Sequence, residues 1–162
     1  RLPSKAKFKQ YVITDPLHVI EAFDHAEGMK DVHTIVVDSL TYLLDLYESV
    51  YVINSTNTMK SWGDFSQYFK TLMQQKVAGS RKRVIFTAHT SDTLNENEMT
   101  VETKVPVKGS LKSTGIESYF SLVISSKNQE TDRVWGMRQG ARDYVTKPVN
   151  AEELLSKIRA LG

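Results

Sequence analysis

The chain has 162 residues, of which 40% are hydrophobic and 25% charged, and this is the size and balance of one globular domain with a sizeable core. It contains no cysteine, so disulfides and thiolate zinc sites are excluded. No apolar run approaches the roughly 18 residues of a membrane span, no signal-peptide pattern opens the chain, and the formal net charge of +2 is weak support for a nucleic-acid partner.

The first predicted elements are a basic segment, a short strand and a helix. The lysine-rich residues 1–10 indicate a solvated terminus. Residues 11–13, Tyr-Val-Ile, are predicted as a strand. Asp15 and Pro16 then suit the N-cap and the first position of a helix that ends near Gly28.

The next element is an apolar strand that ends in an aspartate. Residues 34–37, Thr-Ile-Val-Val, have the pattern of a strand buried on both faces, and Asp38 is the first carboxylate after it. A helix follows at once, with an apolar face formed by Leu40, Leu43, Leu44 and Tyr47. Open α/β sheets place ligand chemistry where a strand gives way to a helix. A plain capping role for Asp38 is the alternative.

A long helix and a second buried strand come next. Residues 59–77 carry an apolar, aromatic face at helical spacing, which is predicted to be core. Residues 84–86, Val-Ile-Phe, are the strand, and Thr87 and His89 follow it. Because a strand, a helix and a strand in this order form a parallel unit, the Asp38 and Thr87 ends should share one edge of the sheet.

A hairpin and a third strand are predicted in the middle of the chain. Residues 92–98 form an acidic tip, and residues 99–107 alternate as an exposed strand does. A basic, glycine-bearing segment with Lys108 and Lys112 then precedes an apolar strand at residues 119–124.

The last stretch is predicted to hold two helices and a strand. A short helix surrounds Val134, and a strand covers residues 144–145. The closing helix begins at Asn150, which forms a capping box with Glu153.

Several motifs, in order, resemble the RecA-like ATPases that bacteriophages encode beside their recombination genes. They are residues 34–41 (TIVVDSLT), 62–65 (WGDF), 84–90 (VIFTAHT) and 105–112 (VPVKGSLK), the last running into 115–120 (GIESYF). The resemblance covers residues 11–124. It implies ATP and Mg²⁺ as cofactors, ATP-driven work on single-stranded DNA, and a homo-oligomer as the active form.

The same resemblance implies roles for the residues at the strand ends. Asp38 is the Walker B carboxylate that orders the magnesium ion, and Ser39 adds a hydroxyl near it. Thr87 and His89 occupy the place of the sensor of the γ-phosphate, so Asp38, Thr87 and His89 are the catalytic candidates. For His89 a structural, hydrogen-bonded role is equally open.

Nucleotide phosphates need further groups. Lys108 and Lys112 are candidates to reach a neighbour's phosphate in trans, and a solvated basic loop is the alternative. The Gly-Lys-Ser/Thr loop that gives such ATPases most of their phosphate affinity is absent from these 162 residues. Little or no hydrolysis by this chain is therefore expected.

Residues 123–161 instead resemble the carboxyl-terminal third of response-regulator receivers of the twitching-motility and chemotaxis type. The string at 126–149, SKNQETDRVWGMRQGARDYVTKPV, carries this resemblance. In receivers a Ser or Thr ends the fourth strand and a Lys-Pro ends the fifth, where the lysine pairs with an aspartyl phosphate. This implies an alternative site of Asp38, Ser125 and Lys147, in which Thr87 or Ser125 orients the phosphate.

Taken together, the patterns predict a three-layer α/β sandwich with a mostly parallel sheet, in which a RecA-like P-loop NTPase core is continued by a receiver-like βαβ-α tail. Residues 1–124 are predicted as the ATPase core fragment and residues 125–162 as a receiver-like segment packed on the same sheet. Three functions stay open: a fragment of a phage recombination ATPase, a phosphorelay receiver, and a chimeric remnant without activity. No membrane contact is expected, and the expected location is the cytoplasm of a bacterium or a phage-infected cell.

Overall fold

The structure is a computed structural model that describes residues 8–95, 100–124, 143–145 and 150–160. The helices are α1 (His18–Gly28), α2 (Leu40–Tyr47), α3 (Thr58–Thr71), α4 (Leu111–Thr114) and α5 (Ala151–Ala160). The strands are β1 (Thr34–Val37), β2 (Arg83–Phe86), β3 (Ser91–Asn95), β4 (Thr100–Lys104), β5 (Leu122–Ile124) and β6 (Asp143–Val145). Two π-helical turns, Glu48–Val52 and Leu72–Val77, extend α2 and α3, and a 3-10 turn spans Glu117–Tyr119.

Strands β1 and β2 form the predicted parallel pair, in the register that sets Val37 beside Phe86. The ladder continues past both strands, since Thr87 N–H donates to Val37 O at 3.1 Å and Leu40 N–H donates to Thr87 O at 2.8 Å. The carboxyl ends of the two strands are therefore held together at one edge.

The hydrophobic core lies between one face of this sheet and the helices. Phe23 of α1, Leu44 of α2, and Phe65 and Phe69 of α3 are buried together. Leu72, in the π-helical turn that extends α3, is buried with them. The prediction that the aromatic face of residues 59–77 is core is confirmed.

The opposite face of the pair is exposed. Val36 is 58% exposed and its register partner Ile85 is 48% exposed. The prediction that the first strand is buried on both faces is therefore wrong for the described residues. What the structure shows is a mixed α/β fold with a small parallel sheet.

The other strands pair among themselves. Strands β3 and β4 form an antiparallel hairpin, as predicted, but residues 92–95 belong to β3 and not to its tip. Residues 96–99 lie outside the described residues. Strands β5 and β6 pair in parallel. Within the described residues each pair is a separate two-stranded sheet.

Three further differences from the sequence prediction concern residues 11–13, α1 and β5. Residues 11–13 form no strand, and Tyr11 and Val12 are exposed. Helix α1 begins at His18 and not directly after Asp15. Just before the helix, the carboxylate of Asp15 accepts a hydrogen bond from Leu17 N–H at 2.9 Å.

The third difference is the start of β5 at Leu122, because the 3-10 turn occupies the preceding residues. At the end of the chain, Asn150 caps α5 by accepting from Glu152 N–H at 2.9 Å. The predicted helix around Val134 lies outside the described residues. None of the helices in the described ranges combines the length and apolar character that a bilayer crossing needs.

Candidate functional site at the carboxyl edge of the parallel pair

Asp38 and Thr87 meet where β1 and β2 end. Thr87 Oγ1 donates a hydrogen bond to Asp38 Oδ1 at 2.5 Å, and both side chains are exposed. Among the described residues, no other hydrogen bond reaches the Asp38 carboxylate. The predicted meeting of the two strand ends is therefore confirmed.

Ser39, and not Asp38, caps the next helix. The Ser39 hydroxyl accepts a hydrogen bond from Tyr42 N–H at 3.3 Å, its backbone is extended, and the residue is 7% exposed. The plain capping role considered for Asp38 is therefore wrong. Because the Ser39 hydroxyl is occupied at the helix end, a second role beside a metal ion would compete with the cap.

His89 lies against the first turn of α2. Its backbone N–H donates to Thr41 Oγ1 at 2.9 Å, and its ring meets the Tyr42 ring edge-to-face with centroids 5.4 Å apart. His89 and Tyr42 are exposed. Sequence reasoning missed Thr41 and Tyr42 as neighbours of His89. The available signal was their position in the first turn of the helix that follows Asp38.

The basic segment 108–112 is bound to the helical layer. Lys108 Nζ pairs with Glu48 Oε2 at 2.5 Å, and the Glu48 side chain is 17% exposed. Ser110 Oγ is 2.6 Å from Ser66 Oγ of α3. The structure thus joins Lys108 to the turn after α2, while Lys112 is exposed. Neither lysine is brought to the Asp38 and Thr87 pair.

Gly109 sets the path of this segment. It has φ +60°, and a Cβ added there would lie 3.0 Å from Trp62 Cε3. Gly109→Ala is therefore expected to destabilise the fold by about 1–2 kcal/mol, from backbone strain and the close ring contact. Urea denaturation measures the loss. Gly63→Ala, where an added Cβ meets nothing within 4 Å, is the matched control and should not destabilise. Equal losses of stability in both variants would contradict the role of the positive φ and the Trp62 contact at Gly109.

A cavity of about 150 Å³ lies beside the site. Leu40, Phe86 and Phe120 form part of its wall, with the carboxylate of Glu117. Glu117 is 6% exposed and accepts from Val105 N–H at 3.1 Å. Ligand pockets for drug-sized molecules are roughly 300–1,000 Å³, so this cavity is too small to enclose a nucleotide. A nucleotide at this edge would lie across the open surface.

The donor set fits the magnesium ion better than it fits the nucleotide. Mg²⁺ keeps several waters and takes one or two carboxylates plus substrate phosphates. Asp38 suits that role, and the residues described contain no group of three or more His, Asp or Glu side chains that would form an all-protein cage. Nothing in the sequence supplies the lysine and backbone amides that cradle the phosphates.

Ser125 and Lys147 lie outside the described residues. The receiver-type site of Asp38, Ser125 and Lys147 therefore stays a prediction. The same holds for the roles of Asp38, Ser39, Thr87, His89, Lys108 and Lys112.

Comparison with known families identifies the class of protein. The model of the AAA domain family AAA_24 matches residues 2–160, so the chain belongs to this family of AAA domains. Membership supports an AAA or RecA-like fold and an ATPase-like function in general. Membership in this family does not test the predictions of a phage origin, a role in recombination or binding to DNA.

Short matches to bacterial regulators accompany the family match. Protein PilH of Pseudomonas aeruginosa is 60% identical over 40 residues, which is 25% of this chain and 33% of PilH. A probable transcriptional regulatory protein of Picosynechococcus is 55% identical over 40 residues, and the alkaline phosphatase synthesis transcriptional regulatory protein SphR of Synechococcus elongatus is 52% identical over 40 residues. Each of these two matches covers 25% of this chain and 16% of the relative. The chain thus spans a third or less of the length of these relatives, and no solved structure matches it.

Proposed function

We propose that this chain is the magnesium-facing part of a RecA-like AAA ATPase that works on single-stranded DNA in phage recombination, with a homo-oligomer as the active form. The observation that carries the proposal is the hydrogen bond from Thr87 to Asp38 at the carboxyl edge of the parallel pair. Family membership supports the ATPase class. The motifs at residues 34–41 and 84–90 support the phage RecA-like kind.

The proposed roles follow from the contacts at this edge. The Thr87 hydroxyl orients the Asp38 carboxylate, so its second oxygen can hold a magnesium-bound water. A bound nucleotide would supply its own phosphates to the same ion. Because residues 1–162 lack the phosphate-binding loop, the proposal includes weak nucleotide binding and little hydrolysis by this chain alone.

The proposed signal from this edge runs towards the β3–β4 hairpin. Leu40 N–H bonds to Thr87 O, and His89 N–H bonds to Thr41 Oγ1, so the end of β2 is tied to the start of α2. Strand β3 begins at Ser91, two residues after His89. A shift of α2 against β2 would therefore move the base of the hairpin.

In the complete protein, we propose a three-layer sandwich with a mostly parallel sheet. A further layer would cover the exposed face of Val36 and Ile85, since parallel sheets are found with both faces covered. Residues 1–124 would form the ATPase core fragment, and residues 125–162 would pack on the same sheet. The protein would act in the cytoplasm.

The test is thermal stability with magnesium-ATP, with magnesium alone, and with neither. Saturation at about ten times the dissociation constant should stabilise the fold by about 1.4 kcal/mol, or roughly 3–6 °C in Tm for a chain of this size. Asp38→Asn should remove the shift, and Asp45→Asn, which neutralises an exposed carboxylate on α2, should keep it. A shift of equal size in Asp38→Asn, or no shift in the unaltered chain, would refute the site.

A phosphorelay receiver is the second candidate, and the short matches to PilH and the transcriptional regulators favour it. Asp38 would accept the phosphoryl group, Ser125 or Thr87 would orient it, and Lys147 would pair with it. Beryllium fluoride with magnesium should then raise the Tm of the unaltered chain and leave that of Lys147→Ala unchanged. Stabilisation by neither beryllium fluoride nor ATP would favour a chimeric remnant without activity.

A further inference from the structure

The edge of the parallel pair opposite Asp38 is formed by two loops that lie side by side. Arg83 N–H donates to His33 O at 3.1 Å, which joins the loop before β1 to the start of β2. Lys82 Nζ donates to Met29 O and Val32 O, each at 2.6 Å. The two loops therefore form one continuous surface.

Cationic side chains project from this surface. Lys30 lies on the first loop, Arg81 lies on the second, and Arg83 is the first residue of β2; all three are exposed. In the part of the chain that the structure describes, none of the three forms an ion pair. Within those residues, no carboxylate neutralises their charges.

Two carboxylates on the same side of the molecule, Asp31 and Glu27, each have a hydrogen-bond partner. Asp31 pairs with Lys9 at 3.0 Å, and hydrogen bonding to Lys9 lowers the pKa of Asp31, so this pair is neutral as a unit. Glu27 accepts a hydrogen bond from the Ser80 hydroxyl and keeps its negative charge. Because Lys30, Arg81 and Arg83 together outweigh this one carboxylate, the edge has a net positive potential.

Two aromatic rings are exposed on the segment that precedes α1. Phe8 is 60% exposed and Tyr11 is 52% exposed, and Lys9 between them ties this segment to the first loop through Asp31. The Tyr11 ring also meets the His25 ring at 5.7 Å, edge-to-face. Residues 8–11 are therefore fastened to the loop that carries Lys30, and both rings on them are exposed.

We propose that Phe8, Tyr11, Lys30, Arg81 and Arg83, here called the basic-aromatic face, bind single-stranded DNA. The cations would contact phosphates, and the rings would stack on unpaired bases, which a duplex does not offer. This inference deepens the proposed function, which already includes single-stranded DNA, by placing the strand at the edge opposite Asp38 and away from the β3–β4 hairpin.

The first test is fluorescence anisotropy of a labelled oligothymidylate with the full chain, without ATP or magnesium. Arg81→Gln with Arg83→Gln should weaken binding at low salt by about tenfold or more. The slope of log affinity against log salt should fall by about 0.7 for each phosphate that the double variant no longer neutralises. The matched control is Lys70→Gln with Arg159→Gln, which removes the same charge from exposed positions elsewhere. It should change the affinity by less than about twofold.

The second test separates stacking from charge. Phe8→Ala should weaken binding to the oligothymidylate by about fivefold or more and leave the salt slope unchanged. Met59→Ala removes an 88% exposed apolar side chain elsewhere and should have no effect. A hairpin duplex of similar length should bind more weakly and be insensitive to Phe8→Ala.

Several outcomes would overturn the proposal: no binding of the oligothymidylate at low salt, equal losses in the two double variants, or no effect of Phe8→Ala. Asp45→Asn, which alters an exposed carboxylate on α2 outside both proposed sites, should bind DNA like the unaltered chain. DNA binding that follows this pattern while magnesium-ATP gives no thermal shift would therefore support the basic-aromatic face and refute the proposed ATPase site. A thermal shift with magnesium-ATP that Asp38→Asn removes, without binding of the oligothymidylate, would support the ATPase site and refute the basic-aromatic face.

Discussion

Phe69→Ala is expected to lower the free energy of unfolding by about 3–5 kcal/mol. Phe69 is fully buried in α3 at 0% exposure, and its ring packs edge-to-face on Tyr119 with centroids 5.2 Å apart. The substitution leaves a cavity between α3 and the 3-10 turn that precedes β5. Since domains of this kind have about 5–15 kcal/mol in total, the variant would lose a large share of its stability.

Urea denaturation of the unaltered chain and of Phe69→Ala measures this difference. Lys70→Ala, at the exposed neighbouring position on the same helix, is the control and should change stability by about 0.5 kcal/mol or less. A loss below about 1 kcal/mol for Phe69→Ala would show that α3 is not packed on the core as described.

The second large effect is a loss of stability at alkaline pH that depends on Tyr68. Its hydroxyl is buried and donates to Pro16 O at 2.7 Å, and burial raises the pKa of Tyr68 far above its ordinary value near 10. The unfolded chain releases this proton near pH 10, while the folded chain retains it. The stabilising contribution is therefore complete below about pH 10 and falls as the pH rises further, by up to about 1.4 kcal/mol per pH unit.

Tyr68→Phe should flatten this decline, although it costs about 1–2 kcal/mol at neutral pH because Pro16 O loses its donor. Urea midpoints from neutral pH to about pH 11 give the slope for each variant. Tyr42→Phe alters a tyrosine that is 66% exposed and should keep the slope of the unaltered chain. If Tyr68→Phe declined as steeply as Tyr42→Phe, another group would have to be responsible.

Elements with long, regular patterns were predictable from the sequence. The β-branched run of β1 and the 3.6-residue spacing of α2 and α3 gave the right element types, and their order gave the parallel pairing. Residues 11–13 have a strand-like composition, yet a strand also needs a neighbour, which a local pattern does not show. The exposure of Val36 has the same origin, because burial on a second face depends on a layer that no local pattern specifies.

The candidate site divides in the same way. The meeting of Asp38 and Thr87 follows from the order strand, helix, strand, because the two strands of such a unit lie parallel and end at the same edge of the sheet. This inference needs no knowledge of individual side-chain contacts. Whether Ser39 or Asp38 caps α2 depends on the backbone conformation at these two residues, which the sequence pattern does not specify. The pairing of Lys108 with Glu48 joins residues 60 positions apart on two irregular segments, so no spacing in the sequence marks it.

The exposed face of Val36 and Ile85 also matters for handling the purified protein. Within the described residues, β1 and β2 pair only with each other, so bare apolar side chains sit on a small sheet whose outer strand edges are unpaired. Exposed apolar side chains beside unpaired strand edges favour aggregation when the protein is concentrated. Threonine at either position keeps the β-branched shape and adds a hydroxyl, so Val36→Thr and Ile85→Thr are natural substitutions for a sample that must remain monodisperse.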